Sequence, residues 1–172
     1  AAFSGHVMRS VSLADDGTEK AVLYTDNNTS SSRIRGTVSA ASESLTIGAT
    51  LELGAYVNRS STHDITNSST NTVGMRQSVV TISNNMGSVM VGQGWHPNDT
   101  SADKNVSGTG TAVLIDGSAL HGVSHRASGD QETASGPAVS SITNGFTHSL
   151  RNGISYTTPD MSGFSATVAH TS

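Results

Sequence analysis

Residues 45–57, LTIGATLELGAYV, restrict the fold more than any other stretch of the chain. Leu45, Ile47, Ala49, Leu51, Leu53 and Ala55 occupy one parity, and Thr46, Gly48, Thr50, Glu52, Gly54 and Tyr56 the other. Strict period two predicts a β-strand with one apolar and one polar face. The alternation holds for eleven residues, longer than the roughly 5 to 6 of an ordinary soluble strand and close to the roughly 9 to 11 that cross a bilayer.

The preceding segment carries the same pattern. Ser32, Ile34, Gly36, Val38 and Ala40 share one face, and Ser31, Arg33, Arg35, Thr37 and Ser39 the other, with AASES as the turn between the two strands. Arg33 and Arg35 therefore project from the kind of face that carries Glu52, opposite the apolar one. Further strands are predicted at residues 3–13, 73–83, 87–95, 150–157 and 163–170, making seven in all, with Pro159 confined to a turn as its missing amide donor requires. In the strand at 73–83 one parity carries Arg76, Ser78, Val80 and Ile82, and the other Met75, Gln77, Val79 and Thr81. The side on which Arg76 lies is open.

Connection lengths alternate. Tight turns follow residues 41, 83 and 157, whereas the other strand ends lead into residues 58–72 and a very long stretch at about 96–149. A soluble sandwich rarely gathers all its short links at one end. A transmembrane barrel does so as a rule.

Composition bears on what such strands can bury. Only 34% of residues are apolar and 4% aromatic, so the apolar side chains must be used with strict periodicity or the chain stays unfolded. A formal net charge of −4 lacks the basic footprint of a nucleic-acid binder. No run of 18 apolar residues exists to make a transmembrane helix, and an Ala1-Ala2 start matches what cleavage at a small-residue site leaves. Absence of cysteine fits a cell-envelope protein but equally a cytosolic one.

Candidate chemical motifs are weak. His121 and His125 are four apart, but their Gly and Ser neighbours oppose the helix that would bring them together as metal ligands. GTGTAV at 108–113 lacks the third glycine and the βα setting of a dinucleotide loop. DDGTE and TDNN cluster oxygens that could hold Ca²⁺, yet neither has EF-hand spacing and Asp-Gly is ordinary turn chemistry. No nucleophile elbow accompanies the many serines and histidines. Neither an enzyme, a metal site nor a cofactor is expected.

SGHVMRSVSLADDGTE, DNNTSSSRIRG, LTIGATLE, MGSVMVGQG and ISYTTPDMSGFSATVA, in that order, resemble the successive strand signatures of Gram-negative general porins. The resemblance implies an all-β, antiparallel transmembrane barrel of the bacterial outer membrane, with these seven strands the N-terminal portion of a 16-stranded whole. It implies a passive diffusion channel for small hydrophilic solutes and ions, assembled as a homotrimer of identical subunits in contact with outer-membrane lipid. The segment at about 96–149 becomes the loop that folds into the barrel. Arg33, Arg35 and Arg76 become a basic wall lining the pore, and Asp99, Asp103 and Asp116 the acidic side supplied by the constriction loop, unless those acids are merely solvated.

Some residues sit uneasily with the family pattern. Phe3, Tyr156 and Phe164 could form part of one aromatic girdle, while the outer one is almost absent. Gln93 stands where many relatives have a basic residue. Arg9 shares parity with Val7 and Val11, which would place a charge against lipid at roughly 2 to 4 kcal/mol unless the strand is irregular or a subunit covers it. A soluble or surface-anchored β-sandwich of adhesin type is the alternative. The two differ in where Leu45, Ile47, Leu51 and Leu53 point: into a second sheet, or out to lipid.

Overall fold

The computed structural model describes residues 1–15, 17, 19–27, 30–65, 71–97 and 150–172. These residues form nine strands: β1 (Ala2–His6), β2 (Arg9–Asp15), β3 (Lys20–Asp26), β4 (Arg33–Ala41), β5 (Thr46–Tyr56), β6 (Thr72–Asn84), β7 (Gly87–Gly94), β8 (Arg151–Thr157) and β9 (Thr167–Thr171). All pairings between strands are antiparallel. Seven strands make one open sheet in the order β1-β4-β5-β6-β7-β8-β9, and β2 pairs with β3 in a second, two-stranded sheet.

Short turns hold one end of the main sheet. Between β4 and β5 the Ser42 amide donates to the Leu45 carbonyl at 2.8 Å. Between β6 and β7 the Asn84 side chain accepts the Met86 amide at 2.9 Å, and Gly87 follows at φ 125°, a conformation open to glycine. β8 and β9 are linked through residues 158–166, where the Thr158 amide donates to Ala166 at 2.9 Å. At the opposite strand ends the chain leaves the sheet after Tyr56 and Gly94 and returns to it at Thr72 and Arg151, an alternation of short and long connections that the sequence predicts.

Two expectations need correction. The predicted strand at 3–13 is interrupted at Val7 and Met8, so that β1 belongs to the main sheet and β2 to the smaller one. At the break the Met8 amide donates to the Ser32 hydroxyl at 2.9 Å instead of to a ladder carbonyl. Arg9 keeps the parity of Val11 and Leu13 within β2, and its charge is met by its contacts: the guanidinium donates to the Val57 carbonyl at 2.8 Å and lies 4.0 Å from Asp26. The second correction is β3, a strand absent from the sequence reading, which pairs with β2 from Arg9↔Asp26 to Asp15↔Lys20.

The polarity of the main sheet is inverted relative to a soluble core. In β5, Glu52, Gly54 and Tyr56 are buried on one face while Ile47 and Leu51 are exposed on the other. The same exposed face collects Ile34, Val38, Val80, Ile82, Val91, Ile154 and Val168 from the neighbouring strands. Buried residues are largely polar, with Thr25, Asp26, Ser31, Ser32, Glu52, Ser60 and Gln77 among them.

Candidate functional site

The β4/β5 register sets Arg35 directly opposite Glu52, and the β5/β6 register sets Glu52 opposite Gln77. Arg35, Glu52 and Gln77 thus form one cross-strand row on the polar face. The next row holds Arg33 opposite Gly54, and His6 of β1 pairs with Arg33 from the other side. Gly54 matters here because a β-carbon at that position would collide with the Tyr56 hydroxyl; its absence lets the Tyr56 ring fold back across the strand.

Arg76 enters the same cluster through a β-bulge. The register shifts between Glu52 and Leu53, with Glu52 opposite Gln77 and Leu53 opposite Met75, leaving Arg76 as the extra residue. Its guanidinium Nε donates to Glu52 Oε1 at 2.7 Å. Gln93 closes the irregularity from β7: its side-chain amide donates to the Met75 and Arg76 carbonyls at 2.9 and 3.2 Å. The β6/β7 ladder begins only at Ser78↔Gln93, so these carbonyls lack strand partners on that side.

Glu52 is the centre of the arrangement, at 0% side-chain exposure. Arg35 Nε donates to Oε2 at 2.6 Å and the Arg35 NH2 group approaches the same oxygen. Gln77 Nε2 donates to Oε2 at 3.3 Å, and Arg33 NH1 stands 3.8 Å from Oε1. Three guanidiniums around one carboxylate leave two uncompensated positive charges. Arg76 and Arg33 are largely buried, at 12% and 17% side-chain exposure, whereas Arg35 is more open to solvent at 39%. Arg33 Nε donates to the Ser31 carbonyl at 2.9 Å, Arg76 NH1 to the Ser31 hydroxyl at 3.5 Å, and the Arg76 guanidinium lies 5.9 Å from the centre of the Trp95 ring. A cleft of about 240 Å³ lined by Ser4, Gly5, His6, Arg33, Arg35 and Glu52 opens beside it.

The structure therefore brings together Arg33, Arg35 and Arg76, the three basic residues singled out in the sequence. Glu52 was not among the expected site residues, although its parity with the arginines across a short turn was visible. Asp99, Asp103 and Asp116 lie outside the described residues, as do His121, His125 and residues 108–113. DDGTE and TDNN fall partly outside them, and no group of three or more His, Asp or Glu side chains gathers to hold a metal among those described.

The family model for Gram-negative porins matches residues 2–172. The chain belongs to the Gram-negative porin family. No curated protein and no solved structure matches it. Porins are channels rather than enzymes, and the cluster fits that background. It presents fixed charge and hydrogen-bond donors at a polar surface.

Proposed function

We propose that this porin forms the wall of a passive diffusion channel in the bacterial outer membrane, admitting small hydrophilic solutes and ions. The supporting observation is the inverted polarity of β5: Glu52 is fully buried within a charged cluster on one face while Leu51, the adjacent residue, is 50% exposed on the other. Hydrocarbon accommodates the apolar face, and an aqueous lumen accommodates the cluster. In a sandwich Ile47 and Leu51 would pack against a second sheet, so their exposure weighs against that alternative.

In this channel Arg33, Arg35 and Arg76 line the lumen. The segment at about 96–149 folds inward and sets Asp99, Asp103 and Asp116 across from them. Opposite fixed charges across a narrow aqueous constriction create a transverse field that orients polar solutes and biases ion passage. Tyr156, whose hydroxyl donates to the Met86 carbonyl at 2.6 Å beside the β6/β7 turn, and the exposed Phe164 lie where a membrane interface favours aromatic rings. Membership in a family whose members generally form oligomers supports assembly with identical subunits, which we put at three.

Cell fractionation followed by planar-bilayer recording tests the proposal. The protein is expected in the outer-membrane fraction, extractable only with detergent, and to give stepwise conductance when reconstituted. Recovery as a soluble monomer without detergent would overturn it.

A further inference from the structure

We propose that Asp26, which touches none of the three cluster arginines, is a positioning residue for two of them, orienting Arg33 through the peptide unit joining Ser31 to Ser32 and Arg76 through the Ser31 side chain on the same segment. The inference rests on the channel proposed above. Asp26 ends β3 at 1% side-chain exposure, and its carboxylate accepts the Ser32 amide through both oxygens, at 3.2 and 3.4 Å. The carbonyl on the other side of that same peptide unit, Ser31 O, accepts Arg33 Nε at 2.9 Å. A trans peptide is planar and rigid, with its N–H and C=O pointing in opposite directions. Holding its N–H on the Asp26 carboxylate therefore fixes where its oxygen points, and with it the Arg33 head.

The Ser31 hydroxyl, on the same short segment, accepts from Arg76 NH1 at 3.5 Å, so a second guanidinium is steered from the same place. Charge adds to geometry. A carboxylate bound to the N–H polarises the peptide and strengthens the bond its carbonyl makes to a cation.

Asp26 is itself fixed from a different direction. Its amide is shared between the Val57 and Asn58 carbonyls at 3.1 and 3.0 Å, and its carbonyl accepts the Ser60 amide at 3.0 Å. Asn58 adopts φ 51°, a left-handed turn that brings both carbonyls toward one donor. The link that follows β5 is thus tied through Asp26 to the arginines of the polar face.

Reversal potentials in a KCl gradient, recorded from the complete reconstituted protein, test this. Asp26→Ala is expected to change the chloride-to-potassium permeability ratio by about twofold, and to have no effect in an Arg33→Gln, Arg76→Gln background. Asp26→Asn, which still offers the Ser32 amide an oxygen but carries no charge, is expected to lie nearer wild type than Asp26→Ala. An unchanged ratio in Asp26→Ala, an equal change in both backgrounds, or Asn behaving like Ala would each overturn the inference, the last two by showing that Asp26 acts through its own charge. Should Asp26→Ala not assemble, Ser31→Ala carries the test. Its expected shift disappears in an Arg76→Gln background, and an unchanged ratio counts against the inference. The wild-type control separates the two levels: a protein that conducts nothing fails the channel itself, whereas a conducting wild type with indifferent variants fails only the role of Asp26.

Discussion

Arg76 and Gln77 are consecutive in the chain, yet both reach the Glu52 carboxylate, Arg76 Nε at Oε1 and Gln77 Nε2 at Oε2. Consecutive residues of a regular strand point to opposite faces. The bulge at Arg76 lifts that restriction, and it does more than add a donor. Before it, Val73 and Met75 take the exposed face; after it, Val80 and Ile82 do, although their parity differs. One inserted residue lets β6 keep its apolar side chains outward on both sides of a charged cluster.

Removing the centre of that cluster should be costly. Glu52→Gln leaves three guanidiniums converging on a neutral amide, and breaking a buried ion pair from one side costs about 3 to 5 kcal/mol. The expected loss sits near the lower end, about 3 kcal/mol, because Arg35 is open enough to turn toward water. A lower urea midpoint for the lipid-reconstituted protein checks it. An unchanged midpoint would mean the arginines are already hydrated.

Gln93 serves the bulge rather than the cluster. Its amide is the donor to the Met75 and Arg76 carbonyls, which β7 does not reach with its own backbone. Gln93→Leu keeps the bulk and removes the donor, and is expected to destabilise by about 0.5 to 1.5 kcal/mol, the net worth of hydrogen bonds at a partly exposed site. Gln93→Lys, which supplies an N–H donor again, should recover part of that loss in the same unfolding assay. Equal midpoints for Leu and wild type would show that water can replace the amide.

Leu51 distinguishes what covers the apolar face. On a water-exposed surface, Leu51→Arg would change stability by no more than about 0.5 kcal/mol. Against hydrocarbon near mid-bilayer it costs about 2 to 4 kcal/mol. The expected result is a sharp fall in folded protein recovered from the outer membrane, with Thr50→Arg, on the opposite face, tolerated. Comparable recovery of both variants would sink the assignment of that face to lipid.

The pattern of strands was legible because alternation is local. Residues 45–57 show both faces of β5 without reference to any neighbour, and the turns at 42–45 and 85–86 announce themselves by composition. Arg33 and Arg35 could likewise be placed on one face from their spacing alone. The bulge could not, since it exists only relative to the register of β5, and strict alternation from Val80 and Ile82 would have put Arg76 on the wrong side. The break at Val7 and Met8 left no local signal, since Arg9 keeps the parity of Val11 and Leu13 within β2. β3 is less legible because it is short and follows a turn-rich run, with only Val22 and Tyr24 alternating on the face that the structure exposes in the small sheet. The central role of Glu52 required knowing that β4, β5 and β6 lie side by side, which spacing along the chain does not show.

Arg33 and Arg35 lead to the most direct test of the polar face. Same-face neighbours on a strand lie roughly 6 to 7 Å apart, and two cations so placed would be too costly to bury in an apolar core without partners. Here Glu52 offsets part of the charge, and the adjoining cleft keeps Arg35 in contact with solvent. Arg33→Gln with Arg35→Gln leaves Arg76 paired with Glu52, so the cluster passes from two net positive charges to none. Assembly is expected to survive, because the Arg76–Glu52 bond at 2.7 Å and the Gln77 bond both remain. Permeation is expected to change: with the repulsion of two fixed cations removed, the reversal potential in a KCl gradient should move toward greater cation preference, and the shift should shrink as ionic strength rises and screening shortens the reach of the field. Loss of assembly would make the two arginines structural, and unchanged selectivity in a properly assembled channel would place them away from the path of the ions.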